Sequence, residues 1–102
     1  MNRIIEDKRE DLALLCAQRR VRRLELFGSA LRDDFDPQTS DLDFLVEFEN
    51  LAQGQYADNY FGLLEDLERL FGCPVDLVMT SAIKNPYFLK KIHASRVTLY
   101  AA

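Results

Sequence analysis

The stretch DLDFLVEF, residues 41–48, constrains the chain more than any other. Successive side chains on a strand point to opposite faces, so Leu42, Phe44, Val46 and Phe48 share one face while Asp41, Asp43, Leu45 and Glu47 share the other. A strand of this kind must lay its apolar face on a core and leave an acidic face outside it. The partners for that core are visible nearby. Residues 2–20 carry Ile5, Leu12, Leu15 and Cys16, with Ile4 and Ala13 alongside, at helical spacing among charges, and predict one amphipathic helix. Residues 56–71 place Tyr60, Leu63, Leu64, Leu67, Leu70 and Phe71 on one side of a second helix, closed by Gly72. VRRLELF, residues 21–27, stops at Gly28 as a strand running into a turn, VDLVM (75–79) reads as a third strand, and VTLY (97–100) as a short last one. SALRDD has a short helical reading before the turn formers of residues 36–40, and Asn85-Pro86 opens another helix with Phe88, Leu89 and Ile92.

With 102 residues the chain fits one domain, residues 1–102, and a tandem arrangement has too little surface to bury. At 48% hydrophobic and 11% aromatic residues the composition is that of a folded protein. The sequence shows neither an apolar run of about 18–20 residues nor the apolar stretch of a secretion signal after its charged start, which implies a cytoplasmic protein without a membrane partner. Cys16 and Cys73 lack the companions of a zinc site and read as reduced, packed thiols; His93 is the one histidine. Any metal would therefore be held by oxygen, which favours magnesium or manganese. Up to Arg23 there are seven bases against four acids, leaving six against 13 in the remainder, a balance that argues against direct nucleic-acid binding. Arg19, Arg20, Arg22 and Arg23 form the single basic cluster, which either holds phosphates or an acidic partner or ends a helix in solvent.

A strand that runs into Gly28-Ser29 and then a helical turn aims backbone N–H groups outward, and a glycine lets an anion come close, though a plain turn is the common outcome. Asp41 and Asp43 sit side by side on their strand, where a divalent cation relieves the repulsion; the alternative is an edge strand with its acids in water. Asp76 is an acid in an otherwise apolar strand, costly to bury without a partner. If that strand lies beside residues 41–48, three carboxylates converge, enough for two metal ions.

In order and spacing, Gly28, Ser29, Arg32, Asp34, Ser40, Asp41, Asp43, Leu45, Val46 and Asp76 resemble the motif of the minimal nucleotidyltransferases of the DNA polymerase beta-like superfamily, often encoded beside a HEPN-domain ribonuclease toxin. Pro86, Leu89, Ile92 and VTLY resemble the family's ending. The resemblance implies an α+β fold with a small mixed sheet flanked by helices, a magnesium-bound ATP, and transfer of AMP to a hydroxyl, a tyrosine on a HEPN-type toxin. It implies that Asp41 and Asp43 hold two Mg2+ ions, or Mn2+, and that Asp76 helps bind one of them and acts as or near the base. Gly28 and Ser29 would grip the triphosphate; Arg32 would reach a phosphate or pair with Asp34, and Ser40 would contact the nucleotide or brace the loop. Asp36 and Glu47 have no place in the motif and read as solvated acids. Asp33 stands where the family commonly has glycine, adding negative charge near the triphosphate. Three readings compete: an adenylyltransferase antitoxin, an inactive antitoxin that neutralises its toxin by contact, and an enzyme acting on a small molecule such as an aminoglycoside. Tyr60 and Phe61 are either core or a hydrophobic contact surface.

Overall fold

The computed structural model describes residues 3–28, 41–80 and 96–102. The expected turns and helices of residues 29–40 and 81–95 lie outside the described residues, as does His93. Four strands, β1 (Val21–Phe27), β2 (Leu42–Phe48), β3 (Val75–Met79) and β4 (Arg96–Ala101), form one sheet in the order β3-β2-β1-β4. β2 and β3 are parallel; β1 is antiparallel to both of its neighbours, β2 and β4. The helices are α1 (Arg3–Asp7), α2 (Arg9–Gln18) and α3 (Gln55–Phe71). This is the mixed-sheet α+β architecture that the resemblance implies.

One face of the sheet carries the core. Leu42, Phe44 and Val46 of β2, Leu24 and Leu26 of β1, Leu77 of β3 and Leu99 of β4 are buried with Ile5, Leu12 and Cys16 of the N-terminal helices and Leu63, Leu67 and Phe71 of α3. Phe44 stacks on Phe71 with ring centroids 5.8 Å apart. The periodicity that predicts α3 is thus the periodicity that it buries. Gly72 ends α3 with φ 67°, and its amide donates to the Glu68 carbonyl at 2.8 Å, a backbone that glycine adopts without the strain of a side chain. Cys16 and Cys73 are free and buried, and burial pushes the Cys16 thiol up to about 12, so it is an apolar packing group.

The structure corrects the sequence reading in four places. The single N-terminal helix is two, broken at Lys8, whose ammonium donates to the Leu70 carbonyl near the end of α3; carbonyls in a helix's last turn lack helical partners, and a cation there also meets the negative end of the dipole. The acidic face of β2 is not all solvent: Leu45 is 2% exposed although it points away from the core. β2 is interior, between β1 and β3, so the edge-strand account of its acids fails. The arginine cluster is largely neutralised: Arg19 bonds Asp66 at 2.8 Å, Arg20 faces Glu49 at 3.5 Å and Arg22 faces Glu47 at 3.7 Å. Tyr60 joins the core, donating its hydroxyl to the Leu77 carbonyl, whereas Phe61 is exposed. No helix among the described residues is long and apolar enough to cross a membrane.

Gly62 lies mid-helix in α3, where glycine costs about 0.5–1 kcal/mol against alanine. A Cβ at that position would run into the guanidinium of Arg19, which reaches across to Asp66 one turn further along. The glycine therefore seats the cation that ties α2 to α3. In an Arg19→Ala background, Gly62→Ala should stabilise the fold by about 0.5–1 kcal/mol in urea unfolding. In the unaltered chain the same change should gain clearly less, because it displaces the guanidinium; equal gains in both backgrounds would show that Gly62 does not serve Arg19.

Candidate active site

The site is built where β1 ends and where β2 and β3 begin, because β1 runs antiparallel to the other two. Phe27, the last residue of β1, pairs in register with Asp43, and Asp43 pairs across the parallel ladder with Asp76. The Leu42 amide donates to the Pro74 carbonyl at 3.1 Å, which locks the two strand starts level with each other. Asp41 immediately precedes β2 and is exposed, Asp43 is half-buried and Asp76 is exposed. The strand adjacency that the sequence reading had to assume is therefore present, and three carboxylates lie at one end of two parallel strands.

Gly28 follows β1 with φ +79°, a left-handed backbone that side chains other than glycine's adopt at a cost. A Cβ there would collide with Oδ2 of Asp43 and stand 3.3 Å from its Cγ. Both conformation and space therefore require glycine, and the carboxylate of Asp43 fills the place that a side chain would take. Gly28 and the half-buried Asp43 are one unit.

Burial raises the Asp43 carboxyl above the usual carboxylate range, and the negative charges of Asp76 and Asp41 push it further the same way. The Cys73 thiol is likewise raised, by burial first and then by Asp41 and Glu68, and it is buried while Asp41 and Asp76 are exposed. The three carboxylates at this end suit a hard divalent cation such as magnesium or manganese, and the mutual repulsion of the acids is what such a cation relieves. Among the described residues, no three His, Cys, Asp or Glu side chains are gathered closely enough to close around an ion. The carboxylates are aligned by the strands without forming a finished ligand shell. Ser29, Arg32, Asp33, Asp34, Asp36 and Ser40 lie outside the described residues, and Glu47 is exposed and faces Arg22.

The sequence reading passed over Glu25. It is 5% exposed and its Oε1 accepts from Nη1 of Arg96 at 3.1 Å. The signal was available: Glu25 stands between Leu24 and Leu26 just as Asp76 stands between Val75 and Leu77, an acid inside an apolar strand.

Residues 8–99 match the family model of the nucleotidyltransferase domain. Over 92 residues, 90% of each chain, the sequence is 34% identical to a protein of Methanocaldococcus jannaschii that bears the provisional name protein adenylyltransferase MJ1379. A solved structure, also provisionally named, of a minimal nucleotidyltransferase superposes with a TM-score of 0.76 over 95% of both chains at 30% identity. The complex of a tri-AMPylated HEPN toxin of Shewanella oneidensis with its MNT antitoxin matches with a TM-score of 0.65 at 16% identity, covering 96% of this chain and 73% of that one, a likeness of fold.

The raised Asp43 carboxyl has a consequence for stability. A carboxyl that is harder to ionise in the folded chain than in the unfolded one costs stability as pH rises from the unfolded value of about 3.9 through the higher folded value. Asp43→Asn should therefore stabilise the metal-free protein at neutral pH, by up to about 1 kcal/mol given the like charge directly opposite on β3. The advantage should shrink as pH falls into the carboxylate range. Urea unfolding of both proteins between about pH 4 and 7 checks this; a destabilised Asn variant at neutral pH would contradict it.

Proposed function

Since the chain belongs to the nucleotidyltransferase domain family, we propose that it transfers AMP from magnesium-bound ATP to a hydroxyl, a tyrosine, of a HEPN-type toxin and so silences that toxin. The observation that carries this reading is the register of Asp43 with Asp76 beside Gly28, which brings the carboxylates and the glycine that ends β1 to one end of the sheet. In the transfer, the acceptor oxygen forms a bond to the α-phosphorus, the bond to the pyrophosphate breaks, and the hydroxyl proton is lost. Asp41 and Asp43 would hold two Mg2+ ions, or Mn2+, with Asp76 completing one of them. Bound there, a divalent cation neutralises developing phosphate charge and orients the attacking oxygen. Asp76 takes the acceptor's proton or stands beside the group that does, as its exposed position on β3 permits. Gly28, Ser29, Arg32 and Ser40 are the nucleotide contacts of this reading, Gly28 through a left-handed backbone that carries no side chain.

The relative named as a protein adenylyltransferase supports the AMP donor, and the fold shared with the antitoxin of an AMPylated HEPN toxin supports the partner. The chain would act as one domain, residues 1–102, in the cytoplasm, where ATP and a ribonuclease toxin meet. Contact-only neutralisation stands as the competing reading, for which the charge of Asp33 speaks.

The test is the intact mass of a HEPN-type partner after incubation with this chain, ATP and magnesium, with and without EDTA. A gain of one or more AMP units, lost with EDTA and reduced at least about 100-fold by Asp41→Asn with Asp43→Asn, is the expected outcome. A tight complex with no mass gain would replace transfer by neutralisation through contact.

A further inference from the structure

Glu25 is the one charged residue buried among the described residues, and the proposed chemistry makes no use of it. Its partner Arg96 opens β4 and is 27% exposed at its side chain. Ion pairs in such surroundings add little net stability compared with apolar side chains of the same volume, while removing one member is costly. What the pair does achieve is placement: the buried carboxylate fixes a guanidinium on the sheet. Arg96 spends one N–H group on Glu25, and among the described residues no second partner takes up the rest of its fork, a geometry suited to two phosphate oxygens.

The strand register says where that fork stands. Arg96 pairs with Phe27, Phe27 with Asp43, and Asp43 with Asp76, so the four form one row across β4, β1, β2 and β3. Residues paired across strands share a face, and this is the face away from the core, since Leu24 and Leu26 of β1 point into it. With strands about 4.8 Å apart, Arg96 begins roughly 10 Å from Asp43 along the row. Gly28, which follows Phe27 at the end of β1, packs against the Asp43 carboxylate at the acidic end of the row. A cation thus sits at one end of the row and the two acids at the other.

On the reading of the site as a nucleotidyl-transfer centre, we infer that Arg96, positioned by Glu25, binds an outer phosphate of the nucleotide while the carboxylate end addresses the α-phosphate. Glu25 is a positioning residue and Arg96 a binding residue. The triphosphate lies across the end of β1, and the guanidinium supplies the positive charge that the acidic end lacks.

The test uses the whole chain with magnesium and two probes, α,β-methylene-ATP and AMP, in calorimetric titration. Glu25→Gln with Arg96→Gln removes both charges without leaving one buried alone. It should keep a melting temperature within a few degrees of the parent's, weaken the triphosphate analogue about 10- to 100-fold and leave AMP unchanged. Arg96→Lys should retain part of the affinity and raise the KM for ATP with little change in kcat, which a purely structural ion pair would not produce. Unchanged affinity for the analogue in both variants, or equal losses for AMP and analogue, overturns the assignment. If the parent binds and transfers while the variants match it, the role of Arg96 alone falls; if the parent binds no nucleotide, the nucleotidyl-transfer reading falls and this inference with it.

Discussion

The parallel pairing of β2 with β3 is the constraint on which the rest depends. Two parallel neighbours cannot be joined by a tight turn, because the chain must return to the end from which it started, and it does so here through α3. α3 has to cover the sheet on the way, which is why its apolar residues recur at helical spacing and why Leu63, Leu67 and Phe71 are buried against Phe44 and Leu77. The Tyr60 hydroxyl on the Leu77 carbonyl and the Pro74 carbonyl on the Leu42 amide then hold helix and strands in a single alignment. Asp43 faces Asp76 as a result of that alignment. A register shifted by one residue would turn one of the carboxylates into the core.

Adjacency of this kind costs the apo fold some stability. Asp43 is half-buried, next to Gly28 on one side and Asp76 on the other, with Asp41 two residues away. A chain selected for stability alone would not place like charges there. The favourable packing on the other face offsets the repulsion, and in the proposed reaction divalent cations would give the acids their partners. The same reasoning applies to Glu25, an acid buried on the same face that already has its cation in Arg96.

Much of this was legible in the sequence, and for identifiable reasons. Alternation in residues 42–48, the helical spacing of Leu63, Leu67 and Phe71 and the glycine after Phe71 are local signals whose physics acts over a few residues. The family resemblance rests on the spacing of Gly28, Asp41, Asp43 and Asp76, and the match of residues 8–99 to the nucleotidyltransferase domain agrees with it. Features that depend on distant partners were not legible. The break at Lys8 answers to Leu70, the fate of Arg19 to Gly62 and Asp66, and the burial of Leu45 to its place in a central strand.

The sequence by itself determined the four strands and α3, that the thiols are packed groups, and that an oxygen-donor site would involve Asp41, Asp43 and Asp76, since side-chain chemistry and periodicity are properties of the chain read residue by residue. Only the tertiary structure decided that β2 is central, that Asp43 stands level with Asp76 and pressed to Gly28, and that Glu25 and Arg96 share the face of these acids. The physical reason is that strand order and register are set by long-range pairing and by the packing of α3, which bring together residues more than 30 positions apart through contacts that no local pattern encodes.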